Sequence, residues 1–161
     1  MTAPASLLRP FDDRTGFTEQ LRTLITEATE SLLLVATDFS DWPLDDMAVH
    51  AALREFLHEH RQASLQLLLD DTRHLGRAAP RFCTLRRHYS HLIECRCTPR
   101  VMLEEPCAIA DERHMLRRFD NARFRGELAL DARQEVDELL MLYRPLWNES
   151  TPCLPATTLG L

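Results

Sequence analysis

Two short, strand-length apolar runs constrain this chain more than any other feature. SLLLVAT (residues 31–37) and SLQLLLD (residues 64–70) are strand-length and carry no polar alternation, the pattern of strands covered on both faces. Between them, Asp45 and Asp46 stand where a helix start favours negative charge, and Val49, Leu53, Phe56 and Leu57 recur at helical spacing. Phe17, Leu21, Leu24, Ile25 and Ala28 make an equivalent stripe before the first run. Helix and strand in alternation predict parallel strands joined by helical crossovers. Pro80 suits the first turn of a further helix whose inner face is Phe82, Leu85 and Tyr89. HLIECRC (91–97) alternates as a strand with one covered face, PCAIAD (106–111) reads as another buried strand, and FRGELAL (124–130) as one more. Asp131 with Gln134 resembles a capped helix start, followed by the stripe Val136, Leu139, Leu140, Tyr143 and Trp147. The sum is one α/β domain, with a mixed, mostly parallel sheet and helices on both faces. Residues 15–150 form the domain, 1–14 an N-terminal extension and 151–161 an irregular C-terminal tail.

A chain of 161 residues buries about 70% of its unfolded surface in a single core. Its first residues lack the apolar stretch of a signal peptide, and no run approaches the roughly 20 apolar residues of a membrane span. Five scattered cysteines in a well-cored domain read as reduced thiols in the cytoplasm. All 19 basic residues are arginine, so every fixed cation is a planar fork suited to phosphate or carboxylate. The net charge of −6 is unevenly spread. Residues 1–72 hold five Arg against thirteen acids, 73–125 twelve against six, and 126–161 two against six. A cationic middle marks either an anionic partner or internal pairing with the acidic ends of the same chain. The overall sign disfavours general binding to RNA or DNA.

Ligands of α/β sheets gather beyond the carboxyl ends of the strands. Those ends carry Asp38, Asp41 and Trp42, then Asp70, Asp71 and Arg73, and later Asp111, although Asp also favours such turns for local reasons. After Asp111 come Glu112, Arg113, His114, Arg117 and Arg118. Asp111 and His114 are an acid–base candidate, the arginines a phosphate grip, and Trp42 either a stacking surface or a cap on the core. His88, His91, Cys95 and Cys97 offer four metal-ligand types within ten residues, but their spacing matches no zinc motif and strand register alone explains the two thiols. Cys83 and Cys107 lack a local activating motif. No cofactor is expected, since four scattered glycines form no phosphate-cradling loop.

CAIADERHMLRR, FRGELAL and the closing VDELLMLYRPLWNES resemble the second part of a phospholipase D-like domain, with Tyr143 and Trp147 at its closing aromatic signature. LLLVATDFSDWPL, LLLDD and PRFCTLRRH are similar to an uncharacterised bacterial family with that domain. The likeness spans roughly residues 14–151. It implies a site built on the HxKxxxxD motif, whose His attacks phosphorus and whose Lys holds the phosphoryl oxygens. With Asp111 as the motif's Asp, the His position falls on Glu104 and the Lys position on Pro106. A carboxylate repels a phosphodiester, and proline supplies no cation. The expectation is a non-catalytic binding or adaptor module that recognises a protein partner or a phosphate-containing ligand. Its candidate residues are Asp38, Trp42, Asp70, Arg73, Asp111, Arg113, His114, Arg117 and Arg118. The alternatives are a hydrolase or nuclease with Asp70, Asp111 and His114 rearranged, a metal protein using the 88–97 cluster, and a subunit whose role is its homodimer surface.

Overall fold

The computed structural model describes residues 7–98, 105–119 and 122–155. Its centre is an eight-stranded sheet in the order β1-β7-β6-β5-β2-β3-β4-β8. The chain runs β1 (Leu7–Phe11), α1 (Arg14–Glu27), β2 (Ser31–Val35), α2 (Met47–Glu59), β3 (Ser64–Leu69), α3 (Arg73–Ala78), α4 (Pro80–His88), β4 (Ile93–Cys97), β5 (Cys107–Ala110), β6 (His114–Arg118), β7 (Gly126–Leu130), α5 (Arg133–Glu149) and β8 (Thr151–Pro152).

The mixed sheet is as expected, but its balance is reversed. Only β2–β3 and β3–β4 are parallel, and the other five pairings are antiparallel. The cause is local. Residues 111–113 join β5 to β6, and a connection that short cannot make the crossover that a parallel pair requires. Asp111 and Glu112 both have positive φ, 56° and 53°, and Arg113 N–H donates to the Ala110 carbonyl at 3.0 Å, a turn whose twist suits a hairpin. The segment placed in an extension contains β1, which pairs with β7 from Leu7↔Leu130 to Phe11↔Gly126. The segment placed in an irregular tail contains β8, which pairs with β4.

Four helices pack on one face of the sheet. Their inner stripes (Phe17, Leu21, Leu24 from α1; Val49, Leu53, Phe56 from α2) meet Leu32, Leu34, Leu65, Leu67, Ala108, Leu116 and Leu128 in the main core. Asp13 and Asp46 cap α1 and α2, the latter accepting from Ala48 and Val49 N–H at 2.9 and 3.1 Å. Asp45 instead holds the start of α4 through Arg81 N–H at 2.7 Å.

The opposite face carries α5 alone, which crosses it obliquely. Val136 and Leu140 cover Ile109, Met115 and Ala129, while Tyr143, Leu146 and Trp147 cover Val35, Leu68 and Cys107. No side-chain cap opens α5, contrary to the Asp131 signature. Asp131 has φ 54° and pairs with Arg113.

Candidate functional site

Because β5 runs antiparallel to β2, the candidate residues divide between opposite ends of the sheet. The end where β2, β3, β4 and β6 finish holds Asp38, Trp42, Asp70, Arg73, Arg117 and Arg118, together with Pro106 at the head of β5. Asp111, Arg113 and His114 sit at the other end, beside the start of β2. Asp111 was counted with the carboxyl-end acids, and strand direction removes it from them. Asp70 therefore cannot act with Asp111 and His114 in one rearranged hydrolytic site.

At the first end, Arg118 is the organising group, and it is not a surface cation. Its side chain is 0% exposed. The guanidinium donates to Asp41 Oδ2 at 2.7 Å and, through Nε and Nη2, to the Arg123 carbonyl at 3.2 and 3.1 Å. It also lies over the Phe124 and Phe17 rings, 4.6 and 5.2 Å from their centroids. Isolated charge in such a place costs several kcal/mol, and pairing plus full hydrogen bonding offsets that cost. Backbone approach is tight here. A Cβ on Gly126 would stand 2.0 Å from the Arg117 carbonyl oxygen and 2.8 Å from Phe11, so no larger residue fits. Trp42 is likewise internal. At 5% exposure it packs edge-on against Phe17 and Phe39, each 5.2 Å away, as a cap on the core and not a stacking platform.

The remaining groups at this end are acids and one pair. Arg73 grips Asp71 through Nε and Nη2 at 2.9 and 2.6 Å, and that hydrogen bonding holds the Asp71 carboxyl down at about 2. Asp38 accepts from Ser40 N–H at 2.9 Å, closing its own turn. Asp70 is exposed. Asp38, Asp41, Asp70 and Asp71 stand around Arg73 and Arg118, and both of those guanidinium groups are already paired with acids, so neither fork is open to a phosphoryl group. Arg117 faces α5's side of the sheet and bonds Glu127 at 3.1 Å. Pro106 is buried, its carbonyl accepting from Arg118 N–H at 2.9 Å. Glu104 lies outside the described residues.

At the opposite end, Asp111 ties the β5–β6 turn to the start of β2. Its carboxylate accepts backbone N–H from Thr29, Glu30 and Ser31 at 2.7–3.1 Å. Burial raises its pKa, but those donors from Ser31, Glu30 and Thr29 outweigh burial and leave it lowered. His114 is buried, and its Nδ1 accepts from Asp131 N–H at 3.0 Å. Asp111 and His114 are each committed elsewhere and make no acid–base pair. Arg113 pairs with Asp131, and Glu112 with Arg144.

The 88–97 cluster does not converge. His88, at the end of α4, meets Tyr89 edge-on, and His91 is exposed in the turn before β4. Cys95 is buried in the core, where burial lifts its thiol to about 11. Cys97 is bonded to Cys153, with Cα atoms 5.8 Å apart. This disulfide overturns the expectation of five reduced thiols and, with it, the support that expectation lent to a cytoplasmic setting. Among the described residues no group of three or more His, Cys, Asp or Glu is placed to hold a metal. Cys107 is fully buried, its thiol pushed up to about 12 by burial. No helix among the described residues is long and apolar enough to cross a membrane.

Comparison with solved structures shows where this architecture occurs. Nuc from Salmonella typhimurium, a phospholipase D family member, superposes with a TM-score of 0.71 at 14% identity, covering 94% of this chain and all of that one. NucT from Helicobacter pylori gives 0.61 at 12% identity, covering 92% and 100%. TrmBL2, an archaeal chromatin protein with a novel mode of DNA binding, gives 0.68 at 12% identity; this chain covers 55% of its length and 91% of its own. No curated protein matches the sequence. These likenesses show a phospholipase D-like fold. A family profile matches residues 13–159, and the chain belongs to that family, described as Domain of unknown function (DUF7931).

Proposed function

We propose that this chain is a non-catalytic phospholipase D-like module that recognises a protein partner. The observation carrying this reading is the state of the nominated arginines. Arg73, Arg113, Arg117 and Arg118 are all held by carboxylates of the same chain: Asp71, Asp131, Glu127 and Asp41. All four of those acids come from the acidic ends that flank the cationic middle, and Asp41 sits 77 residues from its partner. A phosphate would have to displace a carboxylate from each fork, a poor exchange for a singly charged diester. The missing motif cation adds to this, since the sequence contains no lysine at all. Support for a protein partner comes from large apolar side chains left in solvent. Met141 and Leu142 on α5 are 78% and 58% exposed, and Leu8 on β1, which shares α5's face with Ala129, is 57% exposed.

The test uses the full chain. A chromogenic phosphodiester should be turned over no faster than buffer alone, and a labelled DNA or RNA 20-mer should show no saturable binding at moderate salt. Affinity capture should retain one protein at near-equal stoichiometry, and the Met141→Glu, Leu142→Glu double variant should lose it while unfolding normally. Turnover that disappears on replacing Asp70 or Asp38 would overturn the proposal. The chromatin protein sharing this fold favours a second reading, nucleic-acid binding. Its signature would be steeply salt-dependent binding of the 20-mer that weakens when Arg125, an exposed arginine directly before β7, is replaced.

A further inference from the structure

The oblique path of α5 leaves one corner of its sheet face uncovered. A cross-strand row lies there: Ile109 on β5 beside Leu33 on β2, beside Gln66 on β3. With Leu140, Tyr143 and Trp147 from α5, these residues enclose a pocket of about 280 Å³. Leu33 and Ile109 make its floor apolar, and Tyr143 and Trp147 make its wall aromatic.

Gln66 is the anomaly. It stands in the middle of a central strand whose neighbours Leu65, Leu67 and Leu68 are fully buried, a place where a polar side chain is disfavoured without a partner. The side chain is half-buried and lines the pocket. Its amide makes no side-chain hydrogen bond among the described residues and opens to solvent in the pocket, and the same holds for Asn148, an exposed residue at the rim. The only charges at the rim are Arg144 and Glu112, which are bonded to each other. The pocket thus asks for no net charge. It offers two carboxamides, each with a donor and an acceptor, above an apolar floor.

We propose that this pocket binds a neutral planar nitrogen heterocycle with an amide-like donor–acceptor edge, such as a free nucleobase or a ring of the same chemistry. Size agrees, since a cavity of about 150 Å³ holds benzene and this one has room for a fused bicycle. A ring without the polar edge would bury the Gln66 amide unpaired, which is unfavourable, so the amide selects as well as binds. This site is separate from the protein-recognition surface and stands or falls independently of it.

The experiment is a calorimetric titration of the full chain with adenine, uracil and nicotinamide, with indole and adenosine monophosphate as controls. Trp147 lies in the pocket and Trp42 in the core, so ring binding should also change Trp147 fluorescence. At least one of the three edged rings should bind saturably in the millimolar range or tighter, and indole should bind about tenfold more weakly. Gln66→Leu should reduce the affinity about tenfold and narrow the gap to indole. Asn148→Leu, at an exposed helical position, repeats the test without touching the sheet. Absence of saturable binding by all three rings would overturn the proposal. So would indole binding as tightly as the best of them, or both variants binding like the parent.

Discussion

The two faces of the sheet are finished in different ways. On the side of α1–α4, the charged groups that enter the core are held by partners, although Trp42 Nε1, Gln20 Oε1 and Arg86 Nε lie buried without one among the described residues. Arg118 has an ion pair, two carbonyl bonds and two aromatic faces, and Asp111 at the sheet's other end takes backbone donors from three successive residues. On the side of α5, one helix covers a diagonal band, and the open corner holds Gln66 with no partner. Apart from the exposed Asp70, the charged groups that look catalytic in sequence are paired or hydrogen-bonded within the fold, and the Gln66 amide is left open to a ligand.

The hardest test of that contrast is to break the buried pair. Asp41→Ala strips Arg118 of its counter-ion while leaving the guanidinium 0% exposed, and should cost about 3–5 kcal/mol in urea unfolding. Arg118→Met should cost less, because the Asp41 side chain is 34% exposed and regains water. Equal losses from the two variants would mean that Arg118 contributes through packing and not charge.

The disulfide sharpens the same comparison at the sheet's β4 edge. Cys97–Cys153 closes a loop of 56 residues and clamps β8 onto β4, where Arg96 also donates to Ser150 Oγ at 2.9 Å and its carbonyl at 2.7 Å. Chain-entropy reasoning assigns such a loop up to about 4 kcal/mol, and about 3 kcal/mol is expected for Cys97→Ser. Protein alkylated under denaturing conditions at the moment of lysis should carry three labels, on Cys83, Cys95 and Cys107. Five would place the native chain in its reduced form.

Asp111→Ala should follow at about 2 kcal/mol, from lost charge-assisted bonds and an αL position that alanine tolerates poorly. Asp111→Asn, at ease with φ 56° and still an acceptor, should lose less. Sign matters for the pH profile. A carboxylate whose folded pKa is lowered contributes stability that is present above its unfolded value of about 3.9 and lost as pH falls through the folded value. The acid limb of the stability curve should therefore flatten in Asp111→Asn. An unchanged limb would show that another carboxylate governs it.

How far the sequence foretold this arrangement depended on whether local signals matched distant partners. The runs at 31–37 and 64–70, the stripe of α2 and Pro80 at the head of α4 were readable because each follows a short-range period or cap. β6 was not, because His-Met-Leu-Arg-Arg looks like a solvated turn. Missing it hid the β5–β6 hairpin, and with the hairpin went the strand direction that moves Asp111 to the far end. No local feature marks Arg118 as buried, since arginine is almost never fully buried unless paired; its partners, Asp41, Phe17 and Phe124, are brought in by the fold. β1 was obscured by Pro10, which an edge strand tolerates and a central one does not. The SLQLLLD run did contain a sign of the open corner, a glutamine inside a buried strand. Only the path of α5 gives that glutamine meaning.

The smallest effect separates the two kinds of ion pair. Arg117 and Glu127 face each other across β6 and β7 on α5's side, with side chains 36% and 21% exposed. Directly opposed charges on a half-open sheet contribute about 0.5 kcal/mol after screening and side-chain entropy. Arg117→Ala should therefore lower stability by about that amount, and its effect should shrink as salt is raised. The Asp41→Ala loss should barely respond to salt, because ions cannot reach a guanidinium enclosed by Phe17, Phe124 and the Arg123 carbonyl. If both losses fell equally with ionic strength, the distinction between a closed face and an open one would fail at the two arginines that stand next to each other in the chain.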